Sequence, residues 1–320
     1  MSQNIKTVLV TGCAGFIGSH FTEKLLSEGY KVIGVDNFDE FYSKGIKVNN
    51  LKVCTNSFNF KFVELDITDI HQVNKIQKVD IVFHFAAKAG VRPSILNPIN
   101  YINTNIIGTQ NILNWMHSQN IKKMVFASSS SVYGNNVSKP FSENDIVDNP
   151  ISPYAFTKKS CELLNFTYHH LYKMSIINLR FFTVYGPRQR PDLAINKFIT
   201  NILNDKPIEI YGDGTSSRDY TFISDIVSGI YSSIDLLQNI KATYEIINLG
   251  NSSPVSLNTM IATIEKCIGK KANKEYLPVQ EGDVDITYAN INKAKDLLNY
   301  NPVTTLEQGI SDYINWKKLW

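Results

Sequence analysis

The sequence predicts an α/β fold: a doubly wound parallel sheet with helices on both faces, joined to a smaller C-terminal α/β part. Three observations predict it. Short β-rich runs alternate with stretches of helical length through the first half of the chain. A glycine-rich turn links the first strand to the first helix. Beyond residue 185 the chain breaks into short elements punctuated by Gly and Pro. Strands alternating with helices imply right-handed crossovers, which leave a parallel sheet buried on both faces.

Taken in order, residues 8–10, 32–35, 60–63, 81–85 and 124–127 read as five strands, rich in Val, Ile and Phe and bounded by Gly, Asp or Ser. Between them Ile17, Phe21 and Leu25 recur at i, i+4, i+8. Ile106, Thr109, Leu113 and Met116 recur at i, i+3, i+7, i+10, again the period of one helix face. A helix from about Pro153 to Lys173 precedes a sixth strand at 176–182. That helix carries Phe156, Leu163, Leu164, Phe166 and Leu171 on more than one face, which predicts burial on two sides: one against the sheet, the other against a second copy in a homodimer or within the chain. We divide the chain into residues 1–185 and 186–320, with a later strand near 244–250 returning to the large sheet.

Composition narrows the function. The 320 residues correspond to about two domains, and 43% hydrophobic with 19% charged residues is an ordinary globular balance. Lys+Arg minus Asp+Glu is 32 − 29 = +3, too little for a basic field, so neither nucleic acid nor an anionic membrane is an expected partner. Cys13, Cys54, Cys161 and Cys267 are far apart without a C-x-x-C pair, which argues against a disulfide scaffold and a zinc site, and no metal is expected. The N-terminal residues lack the pattern of a secretory signal, and no 18-residue apolar window occurs, so a cytoplasmic location is expected.

Residues 11–18, Thr-Gly-Cys-Ala-Gly-Phe-Ile-Gly, lie directly after the first strand and open the first helix. Glycine is required where the backbone turns sharply, approaches a pyrophosphate, or packs a helix closely on a strand, and the helix N-terminus offers unpaired N–H groups to an anion. Gly12, Gly15, Phe16, Ile17 and Gly18 are therefore expected at a dinucleotide. Asp36 ends the second strand, where a carboxylate accepts both adenosine ribose hydroxyls and opposes a 2′-phosphate, favouring NAD over NADP.

Tyr154 and Lys158 form a Y-x-x-x-K pair one turn apart on a helix, 25 residues after Ser129 at the tip of the fifth strand. A tyrosine with its ordinary pKa of about 10 is a poor base at neutral pH. An ammonium about 4 Å away is worth roughly 4 kcal/mol at an effective dielectric of about 20, enough to lower that pKa by about three. Lys158 is thus expected to make Tyr154 a general base for a sugar hydroxyl that Ser129 holds in line.

With these residues in place, nearly the whole chain resembles the extended short-chain dehydrogenase/reductase group, in particular its NAD-dependent nucleotide-sugar 4-epimerases. The resemblance is carried by the G-x-x-G-x-x-G turn, Asp66-Ile67, His84-Phe-Ala-Ala-Lys88, residues 101–109, Ser128-Ser-Ser-Ser-Val-Tyr-Gly134, the Tyr154/Lys158 pair, Arg180-Phe-Phe-Thr-Val-Tyr-Gly-Pro187, Arg218-Asp-Tyr-Thr-Phe-Ile-Ser-Asp225 and Gly282-Asp-Val284. It implies that Asp66 and Ile67 bracket the adenine, Lys88 lies near the cofactor diphosphate, and Asn105 lines the pocket. It also implies that the C-terminal part holds a UDP-sugar, with Arg218 on phosphate and Asp283 on ribose.

Related dehydratases carry an acidic pair just before Val-Tyr-Gly, and related decarboxylases a glutamate; this chain has Ser130-Ser131. Oxidation at C4 and hydride return on the other face of a 4-keto sugar then remain. Ser129 to Ser131, Thr183, Gly90-Val-Arg92 and the Arg190-Pro-Asp192 stretch are most similar to UDP-glucuronate 4-epimerases. Ser130, Ser131, Thr183 and Arg190 are expected around the substrate carboxylate, with Arg92 nearby. The alternatives are 4-epimerases of UDP-glucose/UDP-galactose or their N-acetyl forms, a nucleotide-sugar dehydratase or decarboxylase, and a non-catalytic NAD-binding sensor.

Overall fold

In the computed structural model the described residues are 6–239, 242–279 and 284–319. The first half runs β1 (Thr7–Thr11), α1 (Phe16–Ser27), β2 (Lys31–Asp36), α2 (Lys44–Leu51), β3 (Phe60–Glu64), α3 (Ile70–Val73), β4 (Ile81–His84), α4 (Val91–Leu96), α5 (Pro98–Tyr101), a π-helical stretch Ile102–Ile107, α6 (Gly108–Ser118), β5 (Lys123–Ser129), α7 (Pro153–Tyr172) and β6 (Ser175–Phe181). The remainder runs β7 (Thr183–Tyr185), α8 (Ala194–Leu203), β8 (Ile208–Tyr211), β9 (Ser217–Phe222), α9 (Ile223–Asn239), β10 (Tyr244–Leu249), β11 (Pro254–Ser256), α10 (Leu257–Ile268), β12 (Lys274–Leu277), α11 (Asn292–Leu298) and α12 (Leu306–Lys318).

Seven strands form one parallel sheet in the order β10-β6-β5-β4-β1-β2-β3. The order reverses on either side of β1, which opens a crevice at the carboxyl ends of the strands. Strand β10 completes the edge beside β6, so residues after 185 contribute to the large sheet. Every residue of β6 is buried, as a strand covered on both faces requires. The other strands form a three-stranded sheet, β11-β9-β7, and a parallel pair, β12-β8. One apolar core runs from Val8 and Phe21 through Ile230 to Ile261 and Tyr313.

Helix α7 starts where local chemistry dictates: Ser152 accepts from the Ala155 N–H, and Pro153 occupies the first turn. It packs on the sheet, yet Phe156, Leu163, Phe166 and Leu171 are exposed in the single chain, with only Leu164 of the five partly covered. The expected burial of its second side is therefore not met within the chain. Among the described residues no helix is long and apolar enough to cross a membrane, and all four cysteines are unpaired.

Candidate active site

A cavity of about 480 Å³ lies at the carboxyl ends of β1, β2, β4, β5 and β6. Its floor is the glycine turn. Gly12 has φ +71°, and a Cβ there would come within 2.7 Å of the Ala86 nitrogen; a Cβ on Gly18 would sit 2.1 Å from the Gly12 carbonyl oxygen. The backbone is thus brought against both the next strand and its own helix. Gly15 caps α1 without a side chain over the helix end, so first-turn N–H groups remain for an anion. Gly12, Gly15, Phe16, Ile17 and Gly18 all line the cavity. Cys13, inside the turn, is packed against Gly34, and burial pushes its thiol up.

Asp36 stands at the tip of β2. Its carboxylate accepts the Ala14 N–H at 3.1 Å and the Phe38 N–H at 2.9 Å, tying the glycine turn to the second strand. Burial raises its pKa above the ordinary carboxylate value. The next turn, residues 37–42, supplies Asp39, Phe41 and Tyr42 to the cavity, and α2 supplies Lys47; none was foreseen. Their signal was Asn37 and Asp39 two apart after the strand, a turn-forming pair in which Asn37 accepts the Asp39 N–H and Asp39 the Phe41 N–H, both at 3.0 Å. Lys88 lines the cavity and pairs with Asp39 at 2.7 Å.

Asn105 lies behind the cavity rather than in its wall. It is 1% exposed: its side-chain oxygen accepts the Lys88 N–H at 2.8 Å, and its amide donates to the Lys88 carbonyl at 3.0 Å and Thr157 Oγ1 at 2.9 Å. It braces the segment that carries Lys88. Ile67 lines the cavity. Asp66 is turned aside: burial raises its carboxyl, but bonds from Thr68 and Asn37 outweigh this and hold it below the ordinary value. His84 is a packed residue, flanked by Thr11 Oγ1 at 2.7 Å and Thr109 Oγ1 at 3.0 Å, and burial lowers its pKa to about 3.

At the other end stand Ser129, Tyr154 and Lys158 together. Ser129 Oγ accepts from Ser131 N–H at 3.2 Å and Ser131 Oγ at 2.9 Å. Burial pushes the Tyr154 phenol up, opposed by its hydrogen bond with Ser129 and by the charge of Arg190. The expected direct depression by Lys158 is not what this geometry shows. The ammonium donates to the Ala127 carbonyl at 2.7 Å and lies 6.0 Å from the Tyr154 ring centroid, and burial lowers its own pKa to about 8.

Ser130, Ser131, Thr183 and Arg190 also line the cavity. The Arg190 guanidinium is held edge-on by Asp192, Nε to Oδ1 at 2.9 Å and Nη2 to Oδ2 at 2.8 Å, and its central carbon lies 5.3 Å from the Phe41 ring centroid. Two further expected residues are elsewhere. Arg92 lies over the Tyr211 ring at 4.9 Å, and Arg218 on β9 donates to the Ser217 carbonyl at 3.0 Å; neither is in the cavity wall. Asp283 lies outside the described residues.

The close backbone approaches at Gly12 and Gly18, the open α1 terminus and the Asp36 carboxylate fit a dinucleotide, and the Ser129/Tyr154/Lys158 end fits proton transfer at a hydroxyl. Comparisons with known proteins agree with this geometry. The family described as GDP-mannose 4,6 dehydratase matches residues 9–313. A UDP-glucuronate 4-epimerase of Thermodesulfobacterium geofontis is 48% identical over 314 residues, covering 97% of this chain and 95% of that protein. The crystal structure of a UDP-glucuronic acid 4-epimerase from Bacillus cereus, in complex with UDP-glucuronic acid and NAD, superposes with a TM-score of 0.92 at 38% identity over 98% of this chain and 100% of the other. A Thermotoga maritima UDP-glucose 4-epimerase with UDP-glucose gives 0.90 at 32% identity over 98% and 99%.

Proposed function

We propose that this chain, which belongs to the GDP-mannose 4,6 dehydratase family within the extended short-chain dehydrogenase/reductases, is an NAD-dependent 4-epimerase of a UDP-sugar, acting on UDP-glucuronate to give UDP-galacturonate. The observation that carries this reading is the cavity itself, where Ser129, Tyr154 and Lys158 share a wall with Ser130, Ser131, Thr183 and Arg190. NAD, when bound, supplies a hydride acceptor and donor. Gly12 and Gly18 let the backbone approach its pyrophosphate, and Asp36 takes the ribose hydroxyls.

Tyr154, whose phenol Ser129 and the Arg190 charge ease back toward ionisation against burial, removes the proton from the C4 hydroxyl held by Ser129 and returns a proton once the 4-keto sugar has turned its other face. Lys158 donates to the Ala127 carbonyl at the strand tip and stands 6.0 Å from the Tyr154 ring centroid, so it holds the strand end beside the phenol without bonding the phenol itself. The two carboxylates in the wall, Asp36 and Asp39, are engaged by backbone N–H groups and by Lys88. The residues after Ser129 are hydroxyls, so no acid or base stands ready for elimination at C5 or C6, and the reaction stops at inversion. The hydroxyls and Arg190 orient a C5 carboxylate without driving its loss.

Beyond the wall of this cavity, the part of residues 186–320 outside the large sheet holds the UDP half, with Arg218 on phosphate and Asp283 on ribose. The exposed apolar side of α7 supports a homodimer, and four unpaired cysteines suit the reducing cytoplasm. One observation favours a neutral hexose as the alternative: Arg190 is already neutralised by Asp192, so an uncharged sugar would strand no guanidinium. The test is incubation with a panel of UDP-sugars without added cofactor, followed by NMR. Inversion of UDP-glucuronate with no loss of carbon dioxide supports the reading; inversion of neutral sugars alone overturns the carboxylate assignment.

A further inference from the structure

The last three residues of β5 each face a different residue of α7, and two of them are bonded to it. The Ala127 carbonyl accepts from Lys158 at 2.7 Å, Ser128 Oγ donates to Glu162 Oε1 at 2.6 Å, and Ser129 shares the cavity wall with Tyr154. Tyr154, Lys158 and Glu162 recur at i, i+4 and i+8 on one helix face. The middle link has an anchor of its own. Arg180, the β6 partner of Ser128 in register, donates Nε to Glu162 Oε1 and Nη2 to Oε2, both at 2.8 Å.

Both side chains of this ion pair are 1% exposed. The guanidinium lies 4.8 Å from the Tyr133 ring centroid, and the Tyr244 hydroxyl donates to the Glu162 carbonyl at 2.8 Å. A sealed ion pair adds little stability over apolar packing of the same volume; what its bidentate geometry provides is a single relative placement of the elements it joins.

We propose that Ser128, Glu162 and Arg180 are positioning residues: the buried Arg180–Glu162 pair holds Ser128 and thereby fixes the tip of β5 along α7, so that Ser129 meets Tyr154. This rests on the epimerase reading only for its kinetic arm. Ser128→Ala removes a single hydrogen bond and no packing volume beyond one oxygen, so it leaves the fold intact where Glu162 or Arg180 variants would strand a buried charge.

In the full-length holoenzyme with UDP-glucuronate, Ser128→Ala is expected to lower kcat at least tenfold with KM within twofold of wild type. In a Ser129→Ala background the same change is expected to add less than twofold, because its effect passes through Ser129. Amide hydrogen exchange over residues 128–133 and 154–162 is expected to quicken at least tenfold, with the rest of the chain unchanged. Wild-type kcat in Ser128→Ala, a loss carried by KM, full additivity with Ser129→Ala, or unchanged exchange at the strand tip each overturns the proposal. If the wild-type protein inverts no UDP-sugar, the functional reading fails, while the exchange measurement still decides the positioning.

Discussion

Lys158 is a cation buried at 4% exposure, and burying it lowers its pKa from 10.5 to about 8. Removing that charge should therefore alter stability in a pH-dependent way. In this window the unfolded chain binds more protons than the native one. The ammonium therefore penalises the folded state fully below pH 8, and the penalty fades as pH rises toward 10.5. The full penalty is about 2.5 × 1.36, or roughly 3 kcal/mol. Between pH 7 and pH 10 most of it, roughly 2–3 kcal/mol, is relieved. Lys158→Met keeps the stem and removes the charge, at the expense of the hydrogen bond to Ala127, a loss that varies little with pH below 8. Urea denaturation of both proteins, at equal nucleotide content, at pH 7, 8.5, 9.5 and 10 is the assay. Wild type should gain roughly 2–3 kcal/mol on the variant over that range, and the variant should be inactive throughout. Parallel stability curves for the two proteins from pH 7 to pH 10 would refute the claim that burial, rather than a neutralising partner, sets the state of Lys158.

Three further outcomes follow from the site. Tyr154→Phe should lower turnover by about 10² to 10⁴ while the purified protein keeps its NAD, measured by absorbance after acid release; loss of the nucleotide together with activity would mean that the phenol holds the cofactor. Gly18→Ala forces a Cβ to within 2.1 Å of the Gly12 carbonyl oxygen, so the turn must open at about 1–3 kcal/mol or more, and NAD should be absent after gel filtration. Arg190→Ala removes charge-assisted bonds worth about 1.5–3 kcal/mol. It should weaken UDP-glucuronate binding by calorimetry about tenfold to a hundredfold and leave UDP-glucose nearly unchanged; equal losses for both ligands would remove Arg190 from carboxylate recognition.

Much of this protein was legible in its residues because the signals are local. A strand, the turn Gly12 to Gly18 and helix α1 are consecutive in the chain, so sterics alone determine where glycine is required and where N–H groups are left free. Tyr154 and Lys158 share a helix face by periodicity, and Asp36 ends a strand whose limits are written in its β-branched run. Those features and the parallel sheet are properties of short segments, whereas the nucleotide-sugar substrate followed from the resemblance of the ordered motifs to a known family.

What only tertiary structure decided depends on approach between distant segments. Asp39 meets Lys88 across 49 positions, and Glu162 meets Arg180 from a neighbouring helix and strand. Asn105 turns away from the cavity because the Lys88 backbone engages both ends of its amide, and the charge opposing burial of Tyr154 comes from Arg190 on a different loop. Distances and desolvation are collective quantities of the packed chain: a motif specifies which groups are available, while the field each one feels is set by everything folded around it.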